Sequence, residues 1–378
     1  MKLFKSLLVA PATLGLLAPI AATANEVTIN DFNPAEELAI TNSRVDGLEA
    51  RLNNFEAGSF SETTTASFSA DFAIGAVDGK GVTTTVTDGD ETLQAVYGFQ
   101  IDLNTSFTGE DSLDISLDAG NGLGTGALSE FDLNGYSGSS ADHLTVDGVS
   151  YTFPLGSATA FVGDNTDGSM LFTTACVYGG PSNTLDDCAN VTAGITGGGV
   201  AIGAAYDFDN GFTAAAGAQF VETGIATKGN ADSWAANLAY TTDSYGASVT
   251  YAMVEDGTGN DTFTALNGYY SFDNGLNISA GYEIGDLDGH AATADETEAY
   301  FIGVNGEVGP GELGAAVGTY GKMTEASGVM PERMMYEVYY SYALNDGMTI
   351  TPLFYTVEAD GSTDKDETGI MVKTSFSF

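Results

Sequence analysis

From Ser61 to Phe378 apolar and polar side chains alternate with a period of two. This pattern restricts the chain to β-architecture with one greasy and one wet face. In residues 93–107 one face carries Leu93, Ala95, Tyr97, Phe99, Ile101, Leu103 and Phe107, and the other Gln94, Gln100, Asp102 and Asn104. Phe68, Ala70, Phe72 and Ile74 alternate in the same way with Ser69 and Asp71. Phe212, Ala214, Ala216, Ala218 and Phe220 do so with Thr213 and Gln219. The runs from Trp234 to Tyr240 and from Leu276 to Ile284 repeat the motif.

The connections add a second regularity. Asp209-Asn210-Gly211, Asp273-Asn274-Gly275 and Asn345-Asp346-Gly347 are tight turns, in which Asn and Gly accept positive φ. Longer acidic stretches lie at 222–232, 254–262, 285–296, 321–334 and 357–368. Short turns alternating with long loops are the two rims of a transmembrane antiparallel β-barrel. Solenoids and propellers repeat at similar spacing without that alternation. The pattern therefore predicts an all-β barrel over 61–378 with about 16 strands (roughly 14–18). Residues 150–200 admit more than one division into strands. The long stretch 120–148 could fold inward and narrow the lumen, or point outward.

Before the barrel the chain changes character. Lys2 and Lys5 precede an apolar run from Leu7 to Ile20, and Ala22 and Ala24 form a small-x-small site. Residues 1–24 therefore read as a secretory signal. Residues 25–35 form a short linker. Over 36–57, Leu38, Val45, Leu48, Leu52 and Phe55 take a and d positions, predicting a short coiled-coil helix on the periplasmic side. Beyond the signal no apolar run approaches the ~20 residues of a membrane helix.

Charge excludes one class of partner. The chain has 52 acidic and 10 basic residues, and loss of Lys2 and Lys5 takes the net charge from −42 to −44. Phosphate backbones are repelled, so nucleic acid is not a partner, while cations are attracted. Aromatic and patterned glycine content argues against disorder.

On the alternation, the residues expected to line the pore are Asp71, Gln94, Gln100, Asp102, Asn104, Asp114, Asp118, Gln219, Asn237, Glu283, Glu337 and Lys373. Acid outnumbers base among them, so the expected preference is for cations. Cys176 and Cys188 are expected to form a loop-closing disulfide in an oxidising compartment. His143 and His290 both fall in loops, and no nucleophile elbow, zincin or P-loop motif is present. The reading has no enzyme activity, no cofactor and no metal site.

The last strand, GIMVKTSFSF, places Ile370, Val372, Thr374, Phe376 and Phe378 on one face. Phe376 and the terminal Phe378 are the expected signal to the barrel-assembly machinery. The segments 197–220 and 151–163, the helix with RVDGLEARL (44–52) and the Phe-ending strand, in that order, resemble the cyanobacterial outer-membrane porins. These are distantly similar to carbohydrate-selective porins, and some are described as iron-uptake porins. The resemblance covers roughly residues 36–378. It implies a homotrimeric outer-membrane barrel of 16 strands, set in lipid and passing inorganic ions or small polar solutes. Residues 25–35 stand where longer members carry a surface-layer-homology domain. The alternative is a secreted acidic β-rich adhesin or divalent-cation-binding surface protein, which would need calcium-binding nonapeptide repeats that this sequence lacks.

Overall fold

The structure, a computed structural model, describes residues 64–378 apart from 80–92, 122–127, 132, 134–141, 228–229, 256–258, 289–294, 322, 325–332 and 360–365. The expected signal, linker and coiled-coil helix lie outside the described residues.

Backbone groups within a bilayer must be paired, and a sheet does this without leaving an edge only by closing on itself. The strands are β1 (Thr64–Asp78), β2 (Gln94–Thr105), β3 (Ser112–Gly120), β4 (Thr145–Leu155), β5 (Ala158–Asp164) and β6 (Val200–Asp207). They continue as β7 (Phe212–Phe220), β8 (Ser233–Thr241), β9 (Tyr245–Glu255), β10 (Asn260–Ser271), β11 (Leu276–Asp286) and β12 (Glu296–Val308). The last are β13 (Gly311–Thr319), β14 (Met323–Thr324), β15 (Met334–Asn345), β16 (Met348–Val357) and β17 (Glu367–Ser377). The two-residue β14 pairs with β12 beyond the end of β13, so the wall has 16 full strands. Apart from β14, neighbours in sequence pair antiparallel, with β13 pairing directly with β15, and β1 pairs with both β2 and β17, which closes the cylinder.

The closing seam is held at the last residue. Phe68 and Phe378 exchange both backbone hydrogen bonds at 3.0 Å, and their rings stack at 5.9 Å. Phe376 meets Phe72 edge-on at 6.1 Å.

One rim carries the short connections 106–111, 156–157, 208–211, 242–244, 272–275, 309–310 and 346–347. Gly211 and Gly275 turn there with φ of 88° and 82°. At 106–111 the Asp111 carboxylate accepts from the hydroxyls of Ser106, Thr108 and Tyr151 and from the backbone N–H groups of Phe107 and Thr108. Desolvation pushes that carboxyl's pKa up, but the hydrogen bonds outweigh it and hold the group below the usual carboxylate range. The other rim carries the longer connections. The stretch expected at 254–262 shrinks to 256–259, because β9 and β10 extend into it.

Outward side chains are apolar around the cylinder, among them Phe72, Ile74, Trp234, Leu266, Ile302, Val338 and Ile370, all well exposed. A hydrophobic band of this kind is what lipid requires. The inward face departs from the simple expectation of polar residues lining water. Phe263, Phe301, Met335, Leu353, Tyr355 and Met371 also point inward and are fully buried. Two segments from the long-loop rim fold inside and cover them.

Candidate functional site

Thirty-five residues, 165–199, separate β5 from β6, and they run inside the barrel. Their attachment follows from the period of an extended chain, in which every second backbone N–H faces the same way. Thr173 N–H donates to Asn237 Oδ1 on β8 at 3.1 Å, Ala175 N–H to Ser248 Oγ on β9 at 2.9 Å, and Val177 N–H to Ser279 Oγ on β11 at 3.1 Å. Asn237 also donates to Thr173 O and to Thr250 Oγ1. Next, the Tyr178 hydroxyl donates to Glu337 Oε1 on β15 at 2.6 Å.

The return leg is held differently. The Glu283 carboxylate on β11 accepts the backbone N–H groups of Thr192 and Ala193, each at 2.8 Å on Oε2. Asn267 on β10 donates to Cys188 O at 2.7 Å. Close approach needs wall positions without side chains. A Cβ on Gly281 would overlap Cys188 O, and one on Gly217 would overlap Gly168 O. Cys176 and Cys188 are disulfide-bonded and join the two legs.

A second segment enters from the 121–144 connection. Leu128, Glu130, Phe131 and Leu133 are buried within the barrel. The Glu130 carboxylate accepts from Thr184 N–H and hydroxyl, and Glu130 O accepts Asn183 N–H, so the two segments interlock. Phe131, Leu185, Phe301, Met335, Leu353, Tyr355 and Met371 belong to one apolar cluster between the segments and the wall.

All twelve residues expected to line the pore stand on the inward face in the pairing register. They divide into two groups. Asp71, Gln94, Gln100, Asp102, Asn104, Asp114 and Lys373 keep solvent access. Asp118, Gln219, Asn237, Glu283 and Glu337 are buried, with Glu283 only 1 % and Glu337 2 % exposed. Asn237, Glu283 and Glu337 anchor the in-folded segment rather than facing open lumen, and Asp118 accepts from the Thr145 hydroxyl. Alternation fixes the face of a residue; coverage by a distant segment decides whether it meets water.

The accessible group clusters on β1, β2, β3 and β17, on the parts of those strands left clear of the apolar cluster, which itself reaches Ala73 and Val77 on β1 and Met371 on β17. Here the acids are held in place by neighbours. Asn104 Nδ2 donates to Asp114 Oδ1 at 2.6 Å, and Asp102 Oδ1 accepts from Gln100 Nε2 and Ser116 Oγ at 2.7 Å each. Among the described residues the basic side chains are Arg333 and Lys373, and only Lys373 is inward, 5.5 Å from the Phe131 ring centre. On the in-folded segment, a hollow of about 290 Å³ is lined by Asp186, Asp187, Asn190 and Thr174 among others. Burial pushes the Asp187 carboxyl up to about 7; the Ala189 N–H opposes this, and the negative charges of Asp186 and Glu283 add to it. Sequence reasoning passed over Asp186 and Asp187, which lie between the two cysteines.

Comparisons with known proteins bear on the fold. No family model and no curated protein sequence matches the chain. Solved structures do. An OprB structure from Pseudomonas putida aligns with a TM-score of 0.62 at 10% identity, covering 84% of this chain and 94% of that one. A mutant porin of Rh. blastica aligns with a TM-score of 0.57 at 12% identity, covering 83% of this chain and 100% of that one. A triple mutant of Rhodopseudomonas blastica porin gives 0.54 at 11%, with the same coverage. In fold, the chain is similar to the closed porin barrel.

Proposed function

We propose that this chain is an outer-membrane channel for passive diffusion of inorganic ions and small polar solutes, with a preference for cations. The observation that carries the reading is the division of the inner wall: one side is sealed by the in-folded segment, the other keeps water-accessible carboxylates. Fixed negative charge beside a narrow aqueous path concentrates cations and repels anions. The apolar outer face suits lipid, and Phe376 and Phe378 at the seam suit recognition by the assembly machinery. Homotrimer formation is part of the reading and rests on the family resemblance.

Reversal potentials in planar bilayers under asymmetric KCl test it. The expected sign is that of cation selectivity, stronger in dilute salt and weaker as the screening length shortens to about 3 Å at 1 M. Asp187 is neutral below its pKa of about 7 and ionised above it, so selectivity should rise with pH through that value. Anion selectivity across the whole pH range would contradict the charge argument.

A further inference from the structure

Two turns of the short-connection rim carry the same three residues but differ in one hydrogen bond. Asp209-Asn210-Gly211 joins β6 to β7, and Asp273-Asn274-Gly275 joins β10 to β11. Each hairpin closes on a backbone bond, Phe208 N–H to Phe212 O at 3.0 Å and Phe272 N–H to Leu276 O at 2.8 Å. In each, the Asn side chain folds forward past the glycine: Asn210 Oδ1 accepts Phe212 N–H at 3.2 Å, and Asn274 Oδ1 accepts Leu276 N–H at 3.3 Å. Gly275 N–H donates to Phe272 O at 2.9 Å. The matching bond is missing from the other turn, and among the described residues Gly211 N–H has no partner. The backbone differs just upstream. Asp207 Oδ1 accepts Asp209 N–H at 2.8 Å, and Asp209 stands at φ 58°, in the left-handed region that Asp273 does not enter.

An Asn followed by Gly carries its own reaction. The glycine nitrogen gives its proton to solvent base and adds to the Asn Cγ. The Cγ–Nδ2 bond then breaks, ammonia leaves with a proton from water, and a cyclic succinimide remains. Water opens that ring at either carbonyl, giving aspartate or isoaspartate. A donor on Oδ1 stabilises the negative oxygen that forms on addition, and both turns have one. A nitrogen already engaged in a hydrogen bond must first release it to turn toward Cγ. Gly275 is engaged and Gly211 is free. Exposure argues the other way: both asparagines are exposed, but Gly275 is exposed and Gly211 half-buried. Asn267 and Asn305 also precede glycine, but they are buried within paired strands.

We propose that Asn210 is a modification site, converting spontaneously to aspartate and isoaspartate in the folded barrel ahead of Asn274. Water is the co-reactant. Isoaspartate adds a methylene to the backbone of the β6–β7 turn, and either product adds a carboxylate beside Asp207 and Asp209 at that rim. The inference stands apart from the channel reading. The test is to hold the full chain in detergent in mildly alkaline buffer, digest samples at intervals, and follow both turn peptides by mass spectrometry. Electron-transfer fragmentation separates the two products. Asn210 should convert about fivefold faster than Asn274, the weight of one net hydrogen bond. In guanidinium-unfolded chain the two rates should converge, since the turns match in sequence up to the residue after glycine. Equal rates in the folded chain, or Asn274 leading, overturns the site. So does a difference that persists in the unfolded chain, which would trace it to Phe212 against Leu276 rather than to the turn.

Discussion

Glu283→Ala is expected to raise single-channel conductance and to make the open current noisy. The carboxylate holds the return leg through two backbone N–H groups, Thr192 and Ala193, in a site that is 1 % exposed. A hydrogen bond to a charged acceptor contributes about 1.5–3 kcal/mol, so the pair contributes roughly 3–6 kcal/mol to keeping the leg against the wall. Alanine removes the acceptor and strands both donors in the interior. The leg then samples detached positions and uncovers wall that it had sealed. The disulfide and the Asn267 bond to Cys188 O still hold the segment at its middle, which limits the release. Glu283→Gln retains an acceptor and should give the smaller effect. Adding Cys176→Ser to Glu283→Ala should enlarge it. A conductance distribution for Glu283→Ala indistinguishable from wild type would mean that the segment does not narrow the path.

Replacing Asp71, Asp102 and Asp114 together with Asn should remove most of the cation preference. These three carboxylates stand on adjacent strands of the water-accessible wall, and Asn is close enough in shape to preserve their hydrogen-bonded surroundings. Charge focused in a low-dielectric channel raises local counter-ion concentration by about tenfold or more. The cation-to-anion permeability ratio in dilute KCl should therefore fall by roughly that factor, toward the free-solution value. The same replacements at 1 M KCl should change little, since the field there is already screened. Glu337→Gln is the instructive contrast. Its carboxyl is buried against Tyr178. Its loss should disturb the segment more than the selectivity.

The barrel itself was legible because its cause is local. Period-two alternation fixes which way each side chain points, and the Asp-Asn-Gly turns fix where strands reverse. That is why all twelve expected lumen residues share the inward face. The interior was not legible, because its cause is non-local. Residues 165–199 are rich in Gly, Thr, Asn and Asp, and the pattern over 150–200 admits more than one division into strands; nothing in their composition says that they turn inward. The signals were present but indirect. A structureless stretch of that length is unusual in a compact domain. Gly217 and Gly281 sit at inward positions where an alternating pattern offers no reason for glycine, and each faces the segment's backbone. β16 blurs the pattern further, with Leu353 and Tyr355 inward and Phe354 outward, since its inner face packs against protein rather than water. The stretch 120–148 does send residues inside, but as the lesser partner of the disulfide-bonded segment.

Single-cysteine accessibility tests the central claim most directly. The account holds that the β1–β3 side of the inner wall is wet, that the β8–β11 side is sealed, and that the outer face is greasy. A charged, membrane-impermeant thiol reagent should modify Asp102→Cys within seconds and reduce its current. Ser248→Cys, under the in-folded segment, and Phe72→Cys, facing outward, should resist it. Rapid modification of Ser248→Cys with Asp102→Cys inert would place the water on the wrong side of the lumen and contradict the account.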